Sequence, residues 1–326
     1  MTTLAEAGEV SVLRQLQNLS KHPQPGVAIG IGDDAALLQK VGPATVLSTD
    51  MMVEGVDFDL RWASFRDVGH KAAAINLSDM AAMGARPRAL LLGIAAPGTT
   101  EVAHLMALVR SLNSVGQRYG APLVGGDLSS IEGPLTVSVT AVGQSSAKQA
   151  LRRYRGRPGD IVAVTGRLGN AAAGLRLLCE GESSPKSLVR AQLRPLPRVE
   201  LGVALAGEGW VSSCADISDG LVRDVRHVLQ PGAGVRLRRE AIPLARSLRT
   251  LARKKNVSPL EWALGGGEDF ELVLTVPKKH WAALEQVGAE HDVLITAVGE
   301  VTKSPGILLD DDDVSSRFKG FEHFRS

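Results

Sequence analysis

A chain of 326 residues with 44% hydrophobic and 22% charged content is long enough for two domains with substantial cores and has an ordinary globular composition. A formal net charge of +2 excludes a general electrostatic pull toward nucleic acid or membrane, and 4% aromatic content excludes a base-stacking platform. No apolar run nears the roughly 18 residues of a membrane span, and MTTLAEAGEV lacks the basic and apolar regions of a leader.

Taken in order, Val12, Leu13, Leu16 and Leu19 predict a short amphipathic helix over 9–20. A Pro/Gly-rich segment leads to the turn Gly32-Asp33-Asp34. Residues 44–50 read as a buried-type strand ending in Ser48-Thr49-Asp50. A helix is expected over 67–83, stopped by Gly84 and Pro87, with Asp79 in its last turns. A carboxylate there opposes the helix dipole and calls for a partner, for which a metal is one candidate. A strand over 89–95, a long amphipathic helix over 100–119, the stretch Gly125-Gly126-Asp127 and a strand over 135–142 complete a first α+β domain.

The polar, basic segment 143–158 marks a boundary, giving domains 1–145 and 146–326. The second domain opens with a strand over 160–165 and a Gly/Ala-rich helix over 170–178. A proline-bounded helical stretch over 185–197 follows. Then comes Ala215-Asp216-Ile217-Ser218-Asp219-Gly220, which runs into a helix over 221–229. Further strands are expected over 235–237, 270–276 and 292–299, and helices over 245–254 and 279–287. The acidic run Asp310 to Asp313 reads as a solvated hairpin tip. Cys179 and Cys214 lack metal-ligand spacing and are expected to be reduced, buried thiols of a cytoplasmic protein.

Six short acidic stretches flanked by glycine or hydroxyl residues therefore stand at element ends, the sixth being Gly266-Gly267-Glu268-Asp269. Hard cations such as Mg2+ take oxygen ligands of this kind, and six stretches exceed the needs of one ion. Each alone has a simpler reading, as a tight turn or a helix cap. The GxxxxGK[ST] cradle, the kinase HRD and DFG set, GxSxG and HExxH are all absent. Phosphate charge would then be neutralised mainly by metals held on carboxylates. Two polyanions meeting in a partly dry site repel by about 4 kcal/mol per contact at ~4 Å, which several cations would remove.

In series, GIGDDAALL, STDMMVEGVDF, NLSDMAAMGA, LVGGDLSS, LRRYRGRPGD, VTGRLGNAAAGL, LRPLPR, ADISDGLVRDV, LGGGEDFEL and KGFEHF resemble the thiamine-monophosphate kinase family, within the aminoimidazole-ribonucleotide-synthetase-like superfamily. The resemblance spans about Gly30 to Phe324. It implies two α/β-sandwich-type domains, the N-terminal one pairing in a homodimer through a barrel-like sheet core, with ATP in the cleft between domains. It implies ATP- and Mg2+-dependent phosphorylation of thiamine monophosphate to thiamine diphosphate. Position by position, Asp34, Ser48, Thr49, Asp50, Asp79, Asp127, Asp216 and Asp219 match metal-binding positions. Among these, Asp50, Asp79 and Asp219 serve in charge neutralisation. Gly126, Asp127, Arg153 and Ser218 match positions around ATP. Asp57, Glu268 and Phe321 fall on the substrate side. Two departures stand out: Gly55-Val56-Asp57 replaces a G-x-H pattern, and Phe321 replaces a frequent tyrosine. The competing readings are a sibling ATP-dependent synthetase, a metal-dependent phosphohydrolase and a non-catalytic cation-binding protein.

Overall fold

The computed structural model describes residues 45–145 and 150–318 continuously, with the short strands 27–29 and 37–38 and residues 3, 15 and 18. Asp34, Phe321 and the KGFEHF ending lie outside the described residues, as does most of the helix expected over 9–20. Gln15 and Asn18 from that stretch are helical. Two compact units emerge, 1–80 with 86–146, and 81–85 with 147–326.

In the first unit, β1 (Val27–Ile29) and β2 (Leu37–Leu38) form a small antiparallel pair. A separate four-stranded sheet has the order β3 (Thr45–Val53), β6 (Thr136–Ser145), β4 (Ala85–Ala96), β5 (Leu123–Ser130). Period-2 alternation sets its two faces. Val137, Val139 and Ala141 of β6 are buried, while Leu47 and Met51 of β3 remain 68% and 61% exposed on the other face. Helix α1 (Phe65–Ala82) meets α2 (Val102–Arg118) at Gly69, where a Cβ would lie 2.1 Å from the Leu108 carbonyl oxygen. Only glycine permits that approach. The apolar stripe of α2 expected from its spacing is the face that is buried.

The GGD stretch departs from expectation. Gly125 and Gly126 are not a turn but lie within β5, paired in parallel with Leu91 and Leu92 of β4. A Cβ on Gly126 would come within 1.9 Å of the Leu92 carbonyl oxygen, so this glycine serves close strand approach.

The second unit is built on a seven-stranded sheet. Its order is β13 (Asp312–Asp313), β12 (Ile307–Leu309), β9 (Gly234–Leu237), β11 (Ile295–Thr302), β7 (Ile161–Thr165), β10 (Glu271–Val276), β8 (Ser213–Ile217). All neighbours are antiparallel except β12 and β9. Strand β10 is buried along its whole length, and each of its large apolar side chains contributes about 1.5–3 kcal/mol by leaving water. Helices α3 (Asn170–Cys179), α4 (Lys186–Leu193), α5 (Val199–Glu208), α6 (Leu221–Asp224), α7 (Arg246–Lys255), α8 (Pro259–Gly265) and α9 (Trp281–Glu290) complete it. Neither the four-stranded nor the seven-stranded sheet closes on itself.

Three details differ from the sequence reading. The helix expected over 221–229 is α-helical only to Asp224 and tightens into a 3-10 turn over Val225–Val228. Helix α8, started by Pro259, follows a polar stretch too short to show periodicity. Cys214 is buried as expected, but Cys179 ends α3 in an exposed position. The acidic tip at Asp310 and Asp311 does turn a hairpin. Arg239 pairs with Asp310 and Asp312 there.

Candidate active site

In the first unit the carboxylates are gathered by an edge strand and a helix end. Ser48 and Asp50 share one face of β3, and the Ser48 hydroxyl donates to Asp79 Oδ2 in the last turns of α1. Burial, then the charges of Asp79 and Asp57, push Asp50 up to about 6. The Asp57 carboxylate accepts the Val53 amide at 2.8 Å, and its carbonyl accepts the Lys71 ammonium at 3.0 Å. Lys71 is 4% exposed, with its side-chain nitrogen directed at the main chain of Asp57. Sequence reasoning passed over it. Its only signal was a lone lysine in α1 two turns ahead of Asp79.

Thr49 is separated from Ser48 and Asp50. Strand alternation turns it to the opposite face, where its hydroxyl donates to the Val139 carbonyl at 3.1 Å and accepts from Thr140 at 3.1 Å. Gly126 and Asp127 are both exposed on β5, and Asp127 pairs with Gly93 of β4.

In the second unit β8 delivers Asp216, which is 4% exposed, and Arg153 reaches its Oδ1 at 3.8 Å. The chain then turns through Ser218 and Asp219 to Gly220, whose φ of +113° is open only to glycine. Asp224 holds this turn from beneath: its Oδ2 accepts the amides of Asp219 at 2.8 Å and Gly220 at 3.1 Å. Burial pushes Asp224 up to about 7 against the pull of those amides. The Asp219 carboxylate also meets Arg223 at 3.3 Å.

The GGGEDFE loop is laced directly onto that turn. The Glu268 amide donates to the Ser218 carbonyl at 2.7 Å, and the Phe270 amide donates to that of Ile217 at 2.9 Å. Gly267, Glu268 and Phe270 all take left-handed φ values, at +67°, +59° and +49°. For the two non-glycine residues this is strained backbone held by its surroundings. The loop's three acids have three separate employments. Glu268 Oε2 accepts Gln192 Nε2 at 2.6 Å. Asp269 caps α3, accepting the Gly169 amide at 2.6 Å and that of Ala171 at 3.3 Å. Glu271 is gripped by Arg198, with Nε at 2.7 Å, and by the Thr165 hydroxyl at 2.5 Å. Asp269 is therefore spent on a helix end, although its sequence neighbourhood grouped it with the cation-type stretches.

The donors assembled in both units are oxygens, the chemistry that Mg2+ takes. Among the described residues no three carboxylate, histidine or cysteine side chains form a metal-holding group by themselves. The mutual repulsion at Asp50 is of the kind a bound cation relieves.

Residues 32–145 match the family described as AIR synthase related protein, N-terminal domain, and residues 157–311 its C-terminal domain. The thiamine-monophosphate kinase of Bacillus subtilis is 36% identical over 312 residues, 92% of this chain and 94% of the relative. That of Escherichia coli is 35% identical, covering 97% and 98%. Among solved structures, the thiamine-monophosphate kinase from Stenotrophomonas maltophilia superposes with a TM-score of 0.83 at 32% identity, covering 93% of this chain and 96% of that one. AaThiL complexed with AMPPCP and TMP gives 0.79 at 30% identity, covering 99% of both chains.

Proposed function

The chain belongs to the AIR synthase related family, among its thiamine-monophosphate kinases, and from that premise we infer the reaction and the roles of its residues. It is an ATP-dependent kinase that phosphorylates thiamine monophosphate to thiamine diphosphate, in thiamine biosynthesis. The observation that carries this is a likeness extending over 99% of the chain to a structure holding both AMPPCP and TMP.

The chemistry joins two phosphates. An oxygen of the acceptor phosphate attacks the γ-phosphorus in line, and the bond to the β,γ-bridging oxygen breaks, releasing ADP. The acceptor is already an anion near neutral pH, so no general base is required. Transfer then depends on positioning and charge. We assign Asp34, Ser48, Asp50, Asp79, Asp127, Asp216 and Asp219 to holding several Mg2+ ions, which when bound neutralise phosphate charge. Thr49 joins this set through its main-chain oxygen, since its hydroxyl is committed to the other face. Gly126, Asp127, Arg153 and Ser218 are assigned to ATP. Arg153 is 45% exposed beside Asp216, and a guanidinium there forks onto a phosphate. Asp57, Glu268 and Phe321 are assigned to the cationic substrate, Phe321 by its ring face.

The further proposals concern setting. Domain 1–145 is assigned to ATP and metal binding and to dimerisation, and domain 146–326, which supplies Arg153, Asp216, Ser218 and Asp219, to closing the ATP/substrate cleft. The homodimer forms through the open face of the four-stranded sheet, where Leu47 and Met51 stand exposed, and the two sheets together make a barrel-like core. The location is the cytoplasm. No described helix is long and apolar enough to cross a membrane, and both cysteines are free thiols.

The test is an assay with purified protein, Mg-ATP and thiamine monophosphate, with products separated by chromatography. Thiamine diphosphate should form in step with ADP. ADP alone would indicate a hydrolase or a sibling synthetase.

A further inference from the structure

We propose that Gln192 is a positioning residue for thiamine monophosphate, acting through Glu268; the proposal rests on the substrate-side reading of Glu268 given above.

Gln192 stands in the last turn of α4 and is 2% exposed. A carboxylate accepts and does not donate, so the amide nitrogen must face Glu268. That orientation turns Gln192 Oε1 into the protein, where it has no hydrogen-bond partner among the described residues. A buried acceptor without a donor carries the desolvation cost of that group uncompensated, and such a group calls for an explanation beyond packing. Its other end contacts Glu268, a residue on strained left-handed backbone. The fold thus sustains two local costs at one contact.

The surrounding geometry locks that contact. Helices α3 and α4 cross at Gly174, where a Cβ would lie 2.1 Å from the Leu188 carbonyl oxygen and 3.1 Å from Cβ of Gln192. The N-terminus of α3 is capped by Asp269, the neighbour of Glu268. The ring Glu268–Gln192–α4–α3–Asp269 is closed. Two adjacent loop acids each hold one of two interlocked helices, so the plane of the Glu268 carboxylate is fixed relative to the backbone of the loop. A carboxylate so fixed discriminates the position of a cationic or amino-bearing ligand. One that rotates freely does not.

The experiment compares Q192L, E268Q and the double variant by steady-state kinetics and thermal melting. Gln192→Leu keeps bulk and removes both the donor and the unpaired acceptor. The KM for thiamine monophosphate should rise about tenfold in Q192L, ~1.4 kcal/mol of binding. Its KM for ATP and its kcat should stay within about twofold, with Tm equal to or above that of the parent. The double variant should lose no more than E268Q alone. A merely structural glutamine would instead lower Tm and move both KM values together, which overturns the proposal. Additive losses in the double variant, or an unchanged KM for thiamine monophosphate in Q192L, overturn it as well. Wild-type protein without turnover of thiamine monophosphate removes the functional reading and this proposal with it. Normal wild-type turnover with an unaffected E268Q overturns the proposal through Glu268 alone.

Discussion

Asp216 is the residue on which charge and burial bear most directly. It is almost fully buried on β8, and Arg153, nearly half exposed, is 3.8 Å away. Asp216→Asn keeps the shape and removes the charge. Turnover should fall by on the order of 10²-fold or more, as when a preorganised electrostatic group is lost. Arg153 can turn to water, and no buried cation is stranded, so the melting temperature should hardly change. Near-normal turnover at saturating Mg2+ would refute the assignment. Asp216 and Glu268 stand out in the sequence as members of short acidic stretches, and the roles proposed for them come from the resemblance of those stretches to the family's. Gln192 and Lys71 do not stand out in this way, since their contacts with Glu268 and with the Asp57 carbonyl appear only in three dimensions. Thr49 was half legible: a stretch read as a strand must alternate, and alternation alone separates Thr49 from Ser48 and Asp50.

At the scale of elements, the pair of half-buried Arg198 and buried Glu271 joins the start of α5 to the start of β10, and Thr165 adds the end of β7. Gly166 makes the room: at φ +59°, its Cβ would lie 1.9 Å from Glu271 Oε1. Arg198→Met should destabilise the protein by about 3–5 kcal/mol, because it strands a buried carboxylate. Adding Glu271→Leu should restore most of that loss in chemical denaturation, whereas continued instability of the double variant would show that the arginine packs rather than pairs. The helices with strong periodicity, such as α2, were legible from the spacing of their apolar residues alone. The placement of β5 was not, because two consecutive glycines read as a turn unless the partner strand is known. The shortening of α6 into a 3-10 turn also had no local signal. It accompanies the hold of Asp224 on the turn that precedes it, a contact visible only in three dimensions.

For the whole molecule, two units of mixed α/β structure follow from composition and from the strand–helix alternation of each half. The sheet order within each unit does not, since antiparallel pairing of β10 between β7 and β8 joins segments about 110 and about 60 residues away. Strand β3 has a consequence at this scale. Its alternation puts Ser48 and Asp50 on one face and Leu47, Thr49 and Met51 on the other, so one edge strand would serve both the proposed phosphate chemistry and the proposed pairing of subunits. Assembly and activity should then be linked by mass action. Specific activity should fall when the enzyme is diluted below its dimer dissociation constant, and Met51→Asp should shift that loss to higher concentration without touching a ligand residue. An activity per subunit that stays flat across dilution, while light scattering shows the dimer separating, would mean that the two faces of the strand work independently. If they are linked, the amount of enzyme a cell makes sets how well each copy works as well as how many copies there are.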